Sequence, residues 1–200
     1  MHSPSIEFWF GYGSTYTYLS AMRIESLLKG INIDLRWRPF NLTALMRDKG
    51  FPRGPFAERP DKLAYMWRDL ERRAGRFGLP YRRPGIYPVD SQRTVRVGLL
   101  ASHEGWCAEF TRKVLEMNFA EGRPIGSPGQ LEAALSELGR DPEATLRQAH
   151  GENIERALVE QTTRAAEIGI FGSPTFIVDG EVFWGDDRLE DAVAWATRTR

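Results

Sequence analysis

The chain has 200 residues, 42% of them hydrophobic and 27% charged, which suits a globular unit large enough to bury its own core. Its 27 basic and 27 acidic residues cancel, so nothing in the charge balance favours nucleic acid or a membrane surface as a partner. The single cysteine, Cys107, excludes an intrachain disulfide and points to a reducing, cytoplasmic compartment. The polar start, residues 1–5, lacks the basic and long apolar regions of a secretory leader, and no apolar run approaches the roughly 18 residues of a membrane span. The arginine cluster Arg72, Arg73, Arg82 and Arg83 reads first as a solvated face and second as an anion site.

Residues 6–10 (IEFWF) are aromatic and mostly apolar, a buried strand. Gly11, Tyr12 and Gly13 break it, and Ser14 and Thr15 suit the N-cap of a helix over residues 16–29, with Tyr18, Leu19 and Met22 apolar and Gly30 closing it. Residues 31–40 alternate apolar and polar as a second strand ended by Pro39, so strand, helix and strand form a βαβ unit with parallel strands. From residue 42 to 168 the patterns are helical, with no convincing strand: 61–77 with Leu63, Met66, Trp67 and Leu70 on one face, then 91–102, 106–120, 131–138 capped by Ser127, and 153–168. Pro80, Pro84, Gly85 and Pro88 stiffen a loop within this stretch.

Strands return at 174–178 and 181–184, joined by Asp179-Gly180, the strongest short hairpin signal. Asp186 or Asp187 then opens a terminal helix reaching Trp195. The order is that of an α/β chain with a thioredoxin-like fold, residues 1–41 and 169–200, and an all-helical domain, 42–168, inserted between its βαβ and ββα halves.

Three segments can carry chemistry. The loop Gly11-Tyr12-Gly13-Ser14-Thr15-Tyr16 joins a strand end to a helix start, where amide groups favour an anion or thiolate. Redox proteins of this fold place a C-x-x-C pair here; this loop has no cysteine, which excludes disulfide exchange by a protein thiol at this place. The Ser14 hydroxyl can instead donate to a thiolate carried by a ligand and lower its pKa, or it is a plain N-cap. In the second segment, the Ser173–Pro174 bond before an apolar strand is a candidate cis peptide that would turn the Ser173 backbone toward an extended peptide, or a trans proline starting an edge strand. The third, Trp184-Gly185-Asp186-Asp187-Arg188, offers carboxylates and helix-start amides to a ligand, or simply a cap.

Other chemistry is poorly represented. His2, His103 and His150 have no metal-ligand spacing, and there is no G-x-S-x-G elbow or P-loop. Cys107, beside Trp106 on a helical pattern, reads as a buried inert thiol.

Taken together, IEFWFGYGSTYTY at the start, WRPFNL at 37–42 and GIFGSPTFIVDGEVFWGDDRL near the end resemble the 2-hydroxychromene-2-carboxylate isomerases, relatives of the kappa-class glutathione transferases within the DsbA-like thioredoxin superfamily. The resemblance covers almost the whole chain. It implies glutathione as cofactor, with Ser14 beside the sulfur, Ser173 and Pro174 pairing with the tripeptide backbone, Asp187 and Arg188 at the γ-glutamyl end, and Lys62 as a further ligand-binding residue. Tyr12, Trp67 and Tyr87 are expected to wall a small aromatic substrate, and a homodimer is the assembly implied. The activity implied is isomerisation by reversible thiolate addition to a conjugated carbonyl compound. Conjugation of glutathione to electrophiles, or thiol or peptide binding without catalysis, are the alternatives. Three positions depart from the family pattern: Thr15 stands where proline usually follows the serine, Gly11 where an acid is frequent, and Phe51 where an asparagine is expected.

Overall fold

The computed structural model describes residues 4–52, 54–56 and 59–198; His2 lies outside them. Strand β1 (Ser5–Phe10) leads through the serine loop into α1 (Thr15–Ala21) and α2 (Ile24–Leu27), followed by β2 (Asp34–Pro39). The helical stretch comprises α3 (Leu42–Asp48), α4 (Pro60–Arg76), α5 (Gln92–Glu104), α6 (Cys107–Glu116) with a π-helical turn at Met117–Glu121, α7 (Gln130–Glu137), α8 (Pro142–Ala149) and α9 (Glu152–Glu167). The chain then returns through β3 (Thr175–Val178), β4 (Glu181–Trp184), a 3-10 turn (Asp186–Arg188) and α10 (Leu189–Thr197).

The four strands form one sheet in the order β2-β1-β3-β4. β1 runs parallel to β2 and antiparallel to β3, with Glu7 opposite Ile177, and β3 is antiparallel to β4. This is a thioredoxin-like fold. Alternation places Ile6, Phe8 and Phe10 of β1 on one face, all fully buried, and Trp9 on the other. The first face shares a single core with Leu70, Leu99, Phe110 and Leu135 of the helical stretch, whereas Trp9 packs with Phe40, Leu45 and Met46 in a smaller cluster behind the sheet. The Asp179-Gly180 turn has φ of +52° and +83°, the left-handed pair that a tight hairpin needs.

Several boundaries differ from the sequence pattern. The helix expected over residues 16–29 is interrupted at Met22 and Arg23, where the Arg23 Nε donates to its own turn at Leu19 O and the guanidinium lies 3.6 Å over the Phe77 ring. The strand expected over 31–40 pairs only from Asp34 to Pro39. Ser127 does not cap α7; Gly129 holds the N-cap position.

Candidate functional site

Ser14 sits where a helix N-cap belongs, with extended backbone (φ −85°, ψ 125°), yet its hydroxyl makes no capping bond. Ser14 Oγ donates instead to the carbonyl oxygen of Ser173 at 2.8 Å. The Ser173–Pro174 bond is cis. The Ser173 side chain returns the contact: its Oγ accepts from the Gly11 amide at 2.9 Å and shares a 2.8 Å hydrogen bond with Thr17 Oγ1. Two loops far apart in sequence are thus tied by hydroxyl groups where a redox protein of this fold would hold its cysteines. Gly11 is required here, since a Cβ would fall 2.4 Å from Leu42 Cβ; an acid at this position would collide with α3.

These loops open onto a cleft of about 1120 Å³. Gly13, Ser14, Tyr16, Ser173 and Pro174 contribute one part of its lining, and Gly185, Asp186, Asp187 and Arg188 another. Leu42, Met46, Phe51 and Phe56 add apolar surface from α3 and the segment after it, and Tyr87 and Val89 add more. Phe51, in place of the asparagine of the related pattern, therefore brings an aromatic ring to the cleft.

The polar side chains of the cleft are held by specific partners. Tyr16 donates its hydroxyl to Asp69 Oδ2 at 2.9 Å, and burial together with that bond holds the phenol well above its ordinary pKa. Thr15, buried, directs its hydroxyl to Met66 Sδ at 3.4 Å. Asp186 Oδ2 accepts from Arg73 at 2.9 Å. Burial raises the Asp186 carboxyl to about 6, with Arg73 and Arg23 pulling the other way. Arg188 bridges Asp187 at 2.9 Å and Asp191 at 2.6 Å.

Of the residues singled out from sequence, Ser14, Lys62, Tyr87, Ser173, Pro174, Asp187 and Arg188 line this cleft. Tyr12 and Trp67 do not, which corrects their expected place in a substrate pocket. Tyr12 continues the inward face of Phe8 and Phe10 and is fully buried, edge-on to Phe10 and Phe110, with its hydroxyl paired to Thr111 Oγ1 at 2.9 Å. Trp67 belongs to the buried stripe of α4 and stands behind Tyr87, with ring centroids 5.0 Å apart. Cys107 is buried too, and burial pushes its thiol to about 12.

Asp69 was not singled out in the sequence, and Arg73 was read there first as part of a solvated arginine face; Asp186, offered by its turn as a ligand carboxylate or a cap, does line the cleft. The signal was present in α4: Lys62, Asp69 and Arg73 recur at spacings of seven and four, a polar stripe on one helix face beside the apolar one.

Comparison with known proteins agrees with this architecture. The 2-hydroxychromene-2-carboxylate isomerase of Sphingobium xenophagum is 23% identical over 188 residues, covering 94% of this chain and 95% of that protein. Glutathione S-transferase kappa 1 of Caenorhabditis elegans is 26% identical over 214 residues, covering 93% and 88%. The solved structure of a 2-hydroxychromene-2-carboxylate isomerase superposes with a TM-score of 0.85 at 26% identity, covering 96% of this chain and 93% of its own. The four-stranded sheet, the helical stretch between its halves and the two loops that meet at Ser14 all fall within residues 5–194, which match the DSBA-like thioredoxin domain, and the chain belongs to that family.

Proposed function

We propose that this protein is a glutathione-dependent isomerase acting on 2-hydroxychromene-2-carboxylate or a related intermediate of aromatic breakdown. The observation that carries the reading is the meeting of the Ser14 hydroxyl, the Ser173–Pro174 turn and the Asp186–Arg188 turn in one cleft that has no cysteine in its lining. The names and full-length coverage of the relatives support the reaction class.

The residues fit a thiol tripeptide. The cleft offers a backbone carbonyl and a proline-led turn for an extended peptide, a hydroxyl for sulfur, and acidic and basic groups in the Asp186–Arg188 turn for a zwitterionic end. Lys62, also in the lining, is a cation within the same cleft for a carboxylate. Bound glutathione would supply a thiolate whose addition to the substrate's conjugated system converts a double bond into a single bond free to rotate, and whose elimination would restore the double bond and the free thiol. Ser14 has one O–H and it is committed to Ser173 O, so serving a thiolate requires the hydroxyl to rotate away from that carbonyl. Once turned, it favours the charged sulfur and raises the thiolate fraction near neutral pH. Phe51, Phe56 and Tyr87 give the organic substrate an apolar wall that excludes water. A reducing cytoplasm suits the single unpaired and buried thiol of Cys107, and a homodimer is the assembly in which we place the chain.

Incubation with 2-hydroxychromene-2-carboxylate tests the reading. Isomer should form only with glutathione present, and glutathione should be recovered in full. The kappa-transferase relative favours a second reading from the same site, conjugation to electrophiles; stoichiometric loss of free glutathione would select it. Neither product formation nor glutathione consumption would leave a binding protein.

A further inference from the structure

The cleft draws its lining from two sources of different character. Ser14, Ser173, Asp187 and Arg188 reach it from the thioredoxin-like part, whereas Leu42, Met46, Phe51 and Phe56 come from α3 and the segment after it. Its volume of about 1120 Å³ exceeds the roughly 300–1,000 Å³ of a pocket for one small molecule, so a bound tripeptide leaves room for a second ligand against the apolar residues.

Five aromatic side chains are exposed among the described residues: Phe51, Tyr65, Phe171, Trp184 and Trp195. Four of them are partly covered by a neighbour. Phe171 and Trp184 pack on each other with ring centroids 4.8 Å apart, Arg72 lies 5.8 Å over Tyr65, and Trp195 has Arg198 at 3.9 Å and Phe183 at 6.2 Å. Phe51 is 41% exposed and lines the cleft, and among the described residues neither a ring nor a cation covers it. Its backbone is nonetheless held in place: the amide donates to Met46 O at 2.8 Å, and the carbonyl accepts from the Gly54 amide at 2.9 Å. A bare ring on a fixed backbone in a cleft is apolar surface for a ligand to cover. Its side chain has no hydrogen-bonding group, so what it reads in a ligand is shape and apolar area.

We infer that Phe51 is a specificity residue that favours aromatic carboxylate substrates carrying one more fused ring than hydroxychromene carboxylate. The inference deepens the isomerase reading above and rests on it for the reaction. In the hydroxychromene the carboxylate and the reacting carbons belong to one ring. A further fused ring lies away from the reacting bond, so it adds flat apolar area without altering the chemistry. Removing that area from water against Phe51, in an offset or edge-on ring contact, favours the larger homologue. The contact is made equally before and during reaction, so it acts on KM rather than on kcat.

The test uses two pairs of compounds. 2-Hydroxychromene-2-carboxylate and its benzo-fused homologue are compared as substrates with saturating glutathione. 2-Naphthoate and phenanthrene-2-carboxylate are compared by calorimetry as inert ligands of the protein loaded with S-methylglutathione. In wild type the larger member of each pair should show a KM or Kd about tenfold lower, with kcat for the two chromenes within about threefold. Phe51→Asn should bring the members of each pair to within about twofold of one another, through KM and Kd. A preference kept at its wild-type size in Phe51→Asn would overturn the assignment, as would equal wild-type affinity for the two members of a pair, or an effect confined to kcat. A matching loss of affinity for S-methylglutathione in Phe51→Asn would place the ring against the tripeptide and overturn it too. If Phe51→Asn does not fold, Phe51→Ala takes its place under the same expectations. Failure of both chromenes to isomerise removes the isomerase reading, and the inert pair then decides the ring preference of Phe51 by itself.

Discussion

Two hydroxyl clusters lie on either side of Gly13, and only one of them can meet a ligand. Tyr12, Thr111 and Cys107 form the sealed cluster: the phenol pairs with Thr111 Oγ1 at 2.9 Å, the thiol lies 3.7 Å from the same oxygen, and all three residues are buried. Ser14, Ser173 and Thr17 form the other, and its first two members line the cleft. The sealed cluster holds the better nucleophile by atom type, yet burial holds both Tyr12 and Cys107 in their neutral forms. The open cluster holds alcohols that polarise rather than attack. On the glutathione reading proposed above, the contrast is the reason this protein, unlike its redox relatives in fold, would need a sulfur brought from outside.

The comparison is broken most severely at Tyr12. Tyr12→Ala removes a fully buried ring from the core and should cost about 3–5 kcal/mol in urea unfolding, as large aromatic deletions do. A loss under about 1 kcal/mol would mean that the ring is not structural. Next comes Ser14→Ala. Its removal from a thiolate should raise the barrier by about 1.5–3 kcal/mol, roughly ten- to a hundredfold in kcat, and shift the titration of the bound thiol to higher pH. Unchanged thiolate absorbance against pH would remove Ser14 from that role. Thr15 and Tyr16 are poor substitutes, each hydroxyl being directed to Met66 or Asp69.

A third test uses proton linkage. Folding raises the Asp186 carboxyl to about 6 from an unfolded value near 3.9. The native state therefore binds more protons than the unfolded one between these values, and the stability that Asp186 contributes is full below about pH 4 and is lost as pH rises through about 6. Asp186→Asn should flatten that part of the stability–pH curve; an unaltered slope would show that the carboxyl is not shifted. The smallest effect belongs to Cys107→Ala, which should leave kcat within about twofold, because the buried thiol does not line the cleft. A large loss of kcat with folding intact would restore a protein nucleophile.

Much of the fold was legible because its signals are local. β1, the Asp179-Gly180 hairpin and the serine loop each carry their own residues' preferences, and the structure follows them. What was not legible depends on distant partners. The helix break at Arg23 coincides with pulls from Phe77, Asp186 and Glu190, none of them near in sequence. α3 escaped notice because it is short, and its buried residues, Leu45 and Met46, pack in the cluster behind the sheet rather than forming a long stripe. In the site, Ser14 and Ser173 stood out as motif residues, but their mutual hydrogen bond could not be read from either segment alone. Tyr12 was misplaced for a different reason: the period-two pattern of Phe8, Phe10 and Tyr12 already pointed it inward, and the neighbouring glycines drew attention to the loop instead.

The pairing of Glu7 with Ile177 has a consequence for how the molecule is made. β1 is an inner strand of the finished sheet, yet during synthesis one of its sides has no partner until nearly the whole chain has left the ribosome. A nascent chain carrying Ile6, Phe8, Trp9 and Phe10 on an incomplete sheet is an aggregation hazard for the whole of that interval, so chaperone demand should fall on the first forty residues. Closure of β1 on β3 brings together segments at opposite ends of the sequence, which makes it the step expected to limit the folding rate.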